Sequence, residues 1–122
     1  MSKLILVRHG QSEWNLKNRF TGWVDINLTK KGKKEAKESG QYIKKLDLNF
    51  NTAFSSIQKR AVNTLKIILK IINKKNINVV KSWKLNEKNY GALTGLNKNE
   101  TKKKYGLKQV KKWRRSWNIA PP

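Results

Sequence analysis

Leu4-Ile5-Leu6-Val7-Arg8-His9-Gly10-Gln11-Ser12-Glu13-Trp14-Asn15 is the stretch on which the fold turns. Four apolar residues in a row, two of them β-branched, predict a short buried strand of a parallel sheet, where strands read as continuous apolar runs. The run stops at Arg8-His9-Gly10 and passes into hydrogen-bonding side chains. In open α/β sheets, ligands bind just beyond the carboxyl ends of strands. The single histidine of the chain therefore falls where such a sheet does chemistry.

A histidine can attack through one ring nitrogen while a hydrogen bond at the other fixes its tautomer. Arg8 adds a permanently charged planar fork that matches phosphate oxygens in pairs. Gly10 lets the backbone turn tightly and approach a ligand, and Ser12 and Asn15 add short polar groups. A histidine after a strand more often only caps it. The apolar run, the arginine and the polar tail together point to chemistry instead.

Residues 11–28 lack periodicity and read as a long loop over the strand end, a length that is often functional. Trp14, Phe20 and Trp23 are expected to pin it by packing, leaving Arg19, Thr21 and Gly22 as candidate ligand contacts. Thr29 can N-cap a helix to about Leu46, with Gly32, Ala36, Gly40 and Ile43 on one stripe. Asn51 to Ser55 reads as a second strand. The helix expected over 57–74 carries Ala61, Leu65, Ile68, Leu69 and Ile72 at helical spacing. Arg60 lies in its first turn, where a helix N-terminus and a guanidinium together make an anion site. Asn78 to Trp83 reads as a third strand, again ending in polar residues, among them Glu87. Surrounded by cations, that carboxylate should ionise easily, so proton donation would need burial or nearby phosphate charge; spacing alone does not separate this role from a salt bridge to a lysine. Asn97 or Asn99 can cap a short helix through Tyr105, ended by Gly106. A last helix over about 107–118 has Val110, Trp113 and Trp117 on one stripe, which turns Arg114 and Arg115 toward solvent or a ligand.

The 122 residues suit one domain with a modest core. With no cysteine, disulfides and thiolate metal sites are excluded. The start Met-Ser-Lys-Leu has no signal-peptide pattern and no run is long enough to span a membrane, so a cytoplasmic protein is expected. A formal charge of +22 would by itself indicate a nucleic-acid or anionic-surface binder. Yet 24 of the 29 cations are lysines, accompanied by 14 asparagines and 10 isoleucines. This is the bias an AT-rich coding sequence produces. The lysines are dispersed, and the dense runs at 30–34 and 102–104 read as solvated helix faces. Where lysine is the default cation, the five arginines at 8, 19, 60, 114 and 115 mark positions that use the fork.

The opening block, with Asn-Arg-Phe-Thr-Gly-Trp at 18–23, Ser-Trp-Lys-Leu-Asn-Glu at 82–87, Tyr-Gly-Ala-Leu at 90–93, Gly-Leu-Asn-Lys at 95–98 and Trp-Arg-Arg at 113–115, resembles the cofactor-dependent phosphoglycerate mutases of the histidine phosphatase superfamily. Arg-His-Gly alone points only to the superfamily; the later blocks point to the mutases. The resemblance implies a three-layer α/β/α fold, with residues 1–122 forming the N-terminal part of one domain and the C-terminal strands and helices lacking. It implies His9 as nucleophile and Glu87 as proton donor and acceptor, with Arg8 and Arg60 beside the reacting phosphoryl. Ligand contacts carry over to Arg8, His9, Gly10, Gln11, Ser12, Glu13, Trp14, Asn15, Arg19, Thr21, Gly22, Arg60, Glu87, Lys88, Asn89, Tyr90, Lys98, Arg114 and Arg115. Gln11 stands where the family commonly has Glu, and Lys88-Asn89 where it has Arg-His.

The implied reaction interconverts 3-phosphoglycerate and 2-phosphoglycerate through 2,3-bisphosphoglycerate and a phosphohistidine, without metal. The implied partner is a small phosphorylated carboxylic acid, with a homodimer possible for the full-length family and no membrane. A second catalytic histidine of the family has no counterpart here, because His9 is the only one. A later strand of the family fold lies between the first two strands of this chain, so its absence is expected to leave unpaired backbone and uncovered apolar residues. On this reading the chain is a fragment, marginally stable and catalytically poor alone. A phosphatase of the same superfamily, and a non-catalytic basic protein binding nucleic acid, are the alternatives. The Glu-x-x-Tyr-Gly, Asn-Lys and Trp-Arg-Arg blocks argue against the first; the lack of any nucleic-acid-binding motif argues against the second.

Overall fold

Thr52–Ser55 (β1), Lys59–Ile72 (α3) and Asn78–Lys81 (β2) form a parallel β-α-β unit, with Thr52 opposite Asn78 and Ser55 opposite Lys81. It is seen in a computed structural model that describes residues 2–74 and 76–122; Met1, where the stretch read for a signal peptide begins, lies outside them. Ahead of this unit come a one-turn helix, Glu13–Leu16 (α1), and a long one, Lys30–Lys45 (α2). After it come 3₁₀ turns at Trp83–Leu85 and Gly91–Leu93 and the helices Lys98–Tyr105 (α4) and Leu107–Arg115 (α5). The class is thus α/β with a small parallel sheet. None of these helices is long and apolar enough to cross a membrane.

Local chemistry sets the helix ends. The Thr29 hydroxyl accepts from the Gly32 N–H at 3.0 Å and starts α2, worth about 1 kcal/mol for such a cap. The Asn97 side chain accepts from Asn99 and Glu100 N–H and starts α4, which Gly106 ends at φ +84°. Gly32, Ala36, Gly40 and Ile43 are the buried stripe of α2, as their spacing predicts. Gly40 has to be small: a Cβ there would stand 3.1 Å from Ile71 Cβ and 3.2 Å from Ile68 Cα of α3. Between these helices Ile43, Ile68 and Ile72 form one core cluster, with Ile5 and Phe50 packed on it. A second cluster, Phe20, Tyr90, Leu93 and Val110 with Trp113 against it, joins the 11–28 segment to α5.

Four expectations are corrected. Leu4–Val7 forms no strand: Ile5 packs on the core, but Leu4 and Leu6 are 81% and 86% exposed. A parallel strand needs a hydrogen-bonding neighbour, and the described sheet holds only β1 and β2. The loop at 11–28 contains α1, because Ser12 and Asn15 build a reciprocal capping box. On α3 the buried stripe is Arg60, Thr64, Ile68 and Ile72, while Ala61, Leu65 and Leu69 are only half-buried. Polar residues enter that stripe because hydrogen bonds satisfy them, as described below. Finally, α5 stops at Arg115, so Trp117 falls beyond the helix and is exposed.

Candidate active site

His9 sits where the first apolar run ends, and its Nδ1 lies 2.7 Å from the Gly10 carbonyl oxygen. That contact assigns the proton to Nδ1 and leaves the Nε2 lone pair available. Burial lowers the His9 pKa below its ordinary value; the bond to the Gly10 carbonyl opposes this next most strongly, the Arg60 and then the Arg8 charges lower it again, and Glu87 opposes least. The shift favours the neutral imidazole, the form that can act as a nucleophile.

The backbone around it is fixed by close packing. The Gly10 N–H donates to Thr64 Oγ1 at 3.1 Å, and the Thr64 hydroxyl donates to the Arg60 carbonyl at 2.7 Å. A Cβ on Gly10 would overlap the Gly32 carbonyl oxygen, and one on Gly32 would overlap that of Gln11. Two glycines thus let the start of α2 press against the turn that carries His9.

Arg60 is buried in the first turn of α3. Its Nη1 donates to the Val24 carbonyl at 3.0 Å, and its Nη2 to the Gly22 carbonyl at 2.7 Å and to Glu87 Oε2 at 2.9 Å. Glu87 thus has a salt bridge to arginine rather than to lysine. Gln58, also buried, ties the same parts together: its Nε2 donates to the Gly22 carbonyl at 2.8 Å, and its Oε1 accepts from the Glu87 N–H at 3.2 Å. Trp23 Nε1 donates to the Glu87 carbonyl at 2.7 Å. Sequence reading missed Gln58 and Thr64 as parts of the site and treated Trp23 only as an anchor. A glutamine at the N-cap position and a threonine on a helix face carry no distinctive signal in the chain.

Tyr90 packs on Phe20 with ring centroids 5.0 Å apart. Burial and then Glu87 raise the pKa of its phenol, opposed by Arg114 and Arg115 nearby. Lys98, the first residue of α4, has its Nζ over the Phe20 ring, and burial followed by the Arg114 charge lowers its pKa. Arg8 and Glu87 also act on Lys98. These mutual effects bring Arg8, His9, Arg60, Glu87, Tyr90, Lys98, Arg114 and Arg115 into one electrostatic neighbourhood. Arg114 Nε is buried without a hydrogen-bond partner. An unsatisfied buried donor among cations is a place for an anion, and the donor set fits a small polyanion such as a bisphosphorylated acid.

Several of the other expected contacts also hold local structure. The Gln11 N–H donates to Glu35 Oε1, its carbonyl accepts from the Thr29 N–H, and its Oε1 accepts from the Thr29 hydroxyl at 2.9 Å, so this side chain ties down the start of α2. Ser12 is fully buried and caps α1; Asn15 reciprocates through Oδ1, and among the described residues its amide N–H groups donate no hydrogen bond. Glu13 is exposed in the first turn of α1. Trp14 packs near Gly95, and Arg19 pairs through its backbone with Asn97. Thr21 is buried, and Gly22, at φ +55°, contributes its carbonyl. Lys88 Nζ donates to the Trp113 and Ser116 carbonyls, and Asn89 Oδ1 accepts from the Gly91 N–H. Among the described residues, no group of three His, Cys, Asp or Glu side chains is arranged to hold a metal ion.

The chain matches the histidine phosphatase superfamily (branch 1) over residues 4–122. The 2,3-bisphosphoglycerate-dependent phosphoglycerate mutase of Buchnera aphidicola subsp. Cinara cedri is 61% identical over 120 residues, which are 98% of this chain and 52% of that protein. The enzyme of the same name from Hamiltonella defensa is 52% identical over 122 residues, 100% of this chain and 49% of that protein. The crystal structure of a phosphoglycerate mutase from Bacillus anthracis shares 28% identity at a TM-score of 0.73, covering 86% of this chain and 47% of that one. The chain spans about half the length of the curated relatives it matches. On its motif and on these matches, the chain belongs to branch 1 of the histidine phosphatase superfamily.

Proposed function

We propose that this chain carries the nucleophile half of a 2,3-bisphosphoglycerate-dependent phosphoglycerate mutase site, which interconverts 3-phosphoglycerate and 2-phosphoglycerate. The observation that carries the reading is His9, its Nδ1 held 2.7 Å from the Gly10 carbonyl oxygen, in one neighbourhood with Arg8, Arg60 and Glu87. His9 Nε2 forms a bond to phosphorus as the phosphorus–oxygen bond to the phosphoglycerate breaks, and the leaving oxygen takes a proton from the Glu87 carboxyl. In the return step the substrate hydroxyl gives its proton to the Glu87 carboxylate, attacks phosphorus and releases His9. Two displacements replace one difficult transfer.

Arg8 and Arg60 face the charge on the transferring phosphoryl oxygens, and Lys98, Arg114 and Arg115 suit the carboxylate and the second phosphate. Bound 2,3-bisphosphoglycerate supplies the phosphoryl group that primes His9. The reading carries with it a cytoplasmic reaction on a small phosphorylated acid, and a homodimer as the assembly to test.

The experiment is incubation of the purified chain with 2,3-bisphosphoglycerate followed by intact mass. A phosphate-sized gain that disappears in His9→Ala is the expected result. A gain that survives His9→Ala would overturn the assignment of this nucleophile, whereas no gain would overturn the reading that this half by itself assembles a working nucleophile site.

A further inference from the structure

We propose that Lys88 is a positioning residue that clamps the end of α5 and so holds Arg114 and Arg115 in the site; this rests on the reading of those arginines as ligand contacts. Lys88 Nζ donates to the Trp113 carbonyl at 2.7 Å and to the Ser116 carbonyl at 3.0 Å. Trp113 lies in the last turn of α5, and Ser116 is its C-cap. Carbonyls there have no partner within the helix, and the negative end of the helix dipole favours a cation. One ammonium thereby meets both requirements.

The position is informative because the helix end is otherwise ill-disposed to hold still. Lys112, Arg114 and Arg115 crowd its last turn. Their mutual repulsion works against the favour that the helix dipole gives each of them, and terminal turns fray readily. Arg114 and Arg115 are the last two helical residues, so fraying would displace both guanidinium groups that act on Tyr90, and the Arg114 group that acts on Lys98. Lys88 brings a further cation to this crowd, yet spends its donors on neutral carbonyls rather than on an acid. A ligand contact would aim the ammonium at the anion site; a clamp aims it at the helix end, as found.

The clamp also joins two sides of the site. In the segment 87–90, Glu87 pairs with Arg60, Lys88 holds α5, and Tyr90 lies near Arg114. A lysine suits the task because two converging carbonyls need a point charge with rotatable donors, not a planar fork.

The test is calorimetric binding of 3-phosphoglycerate to the full chain and to Lys88→Met, Lys88→Arg, Arg114→Gln/Arg115→Gln and the triple variant, with amide exchange over 112–118. Lys88→Met should weaken binding roughly tenfold and speed exchange at the end of α5, and Lys88→Arg should recover part of both. In the Arg114→Gln/Arg115→Gln background, Lys88→Met should cost nothing further. An additive loss, or a loss without faster exchange, would make Lys88 a direct contact and overturn the proposal. Unchanged binding in Lys88→Met would overturn it too, whereas unchanged binding in Arg114→Gln/Arg115→Gln would overturn the underlying site reading instead.

Discussion

Arg60 and Glu87 meet at 2.9 Å with unequal exposure: the arginine side chain is 1% exposed and the glutamate 38%. The guanidinium is the fixed member, anchored also on the Gly22 and Val24 carbonyls. The carboxylate is the member that water can reach. One donor set thus holds a loop, the Glu87 carboxylate and the field at His9 together.

Arg60→Met should therefore cost both stability and chemistry. Losing charged hydrogen bonds to buried acceptors is worth about 2–3 kcal/mol, with the partly solvated Glu87 adding little. Arg60→Lys should recover only part of this, because a point charge cannot span three acceptors. Urea unfolding checks the first effect, and intact-mass phosphorylation the second. An Arg60→Met protein of unchanged stability would show that the buried network is dispensable.

His9 should titrate below the ordinary imidazole value of 6.5, for the burial and arginine charges already described. Because it is the only histidine, its ring resonances can be followed without assignment. As pH falls, phosphoryl uptake should reach half its plateau only below 6.5, as Nε2 is protonated. The same shift gives a stability slope. Between the folded value and 6.5 the unfolded chain binds more protons, so this contribution is complete above 6.5 and is lost as pH falls toward the folded value. Arg60→Met should move the His9 titration upward. A wild-type midpoint at or above 6.5 would contradict the field described here.

Gly32→Ala should destabilise strongly despite a helical position where alanine is the better residue. The added Cβ would collide with the Gln11 carbonyl, forcing α2 away from the His9 turn. Overpacking of rigid backbone costs about 1–3 kcal/mol, more than the helix-propensity gain of up to about 1 kcal/mol. Thermal unfolding decides the sign, and a stabilised Gly32→Ala protein would mean the two segments separate freely.

Local signals were legible where one residue type answers one local demand. Thr29 and Asn97 as caps, Gly106 as a stop and the small stripe of α2 need only short-range geometry. The site arginines stood out because lysine is the default cation of this chain. What was not legible depends on distant partners. Gln11, Lys88 and Asn89 read as ligand contacts in a motif, and each also completes hydrogen bonds to backbone or a cap, which the sequence does not reveal. Gln58 and Thr64 gain their roles only from Gly22, Glu87 and Gly10, which fold against them. The same holds for Leu4–Val7: apolar content predicts burial, but pairing needs a neighbour that periodicity does not supply.

That last stretch provides a sharp contrast between adjacent residues. Ile5 packs on the cluster of Ile43, Ile68 and Ile72, whereas Leu6 is 86% exposed. Ile5→Ser should lower stability by about 1–3 kcal/mol, because it strips apolar contact and brings a hydroxyl to the core edge. Leu6→Ser should change it by less than about 0.5 kcal/mol and reduce binding of an apolar dye. Denaturant midpoints of the two variants, measured side by side in this chain, test the alternation. Equal losses would mean that Leu6 is covered in solution, and with it the face that Leu4 shares.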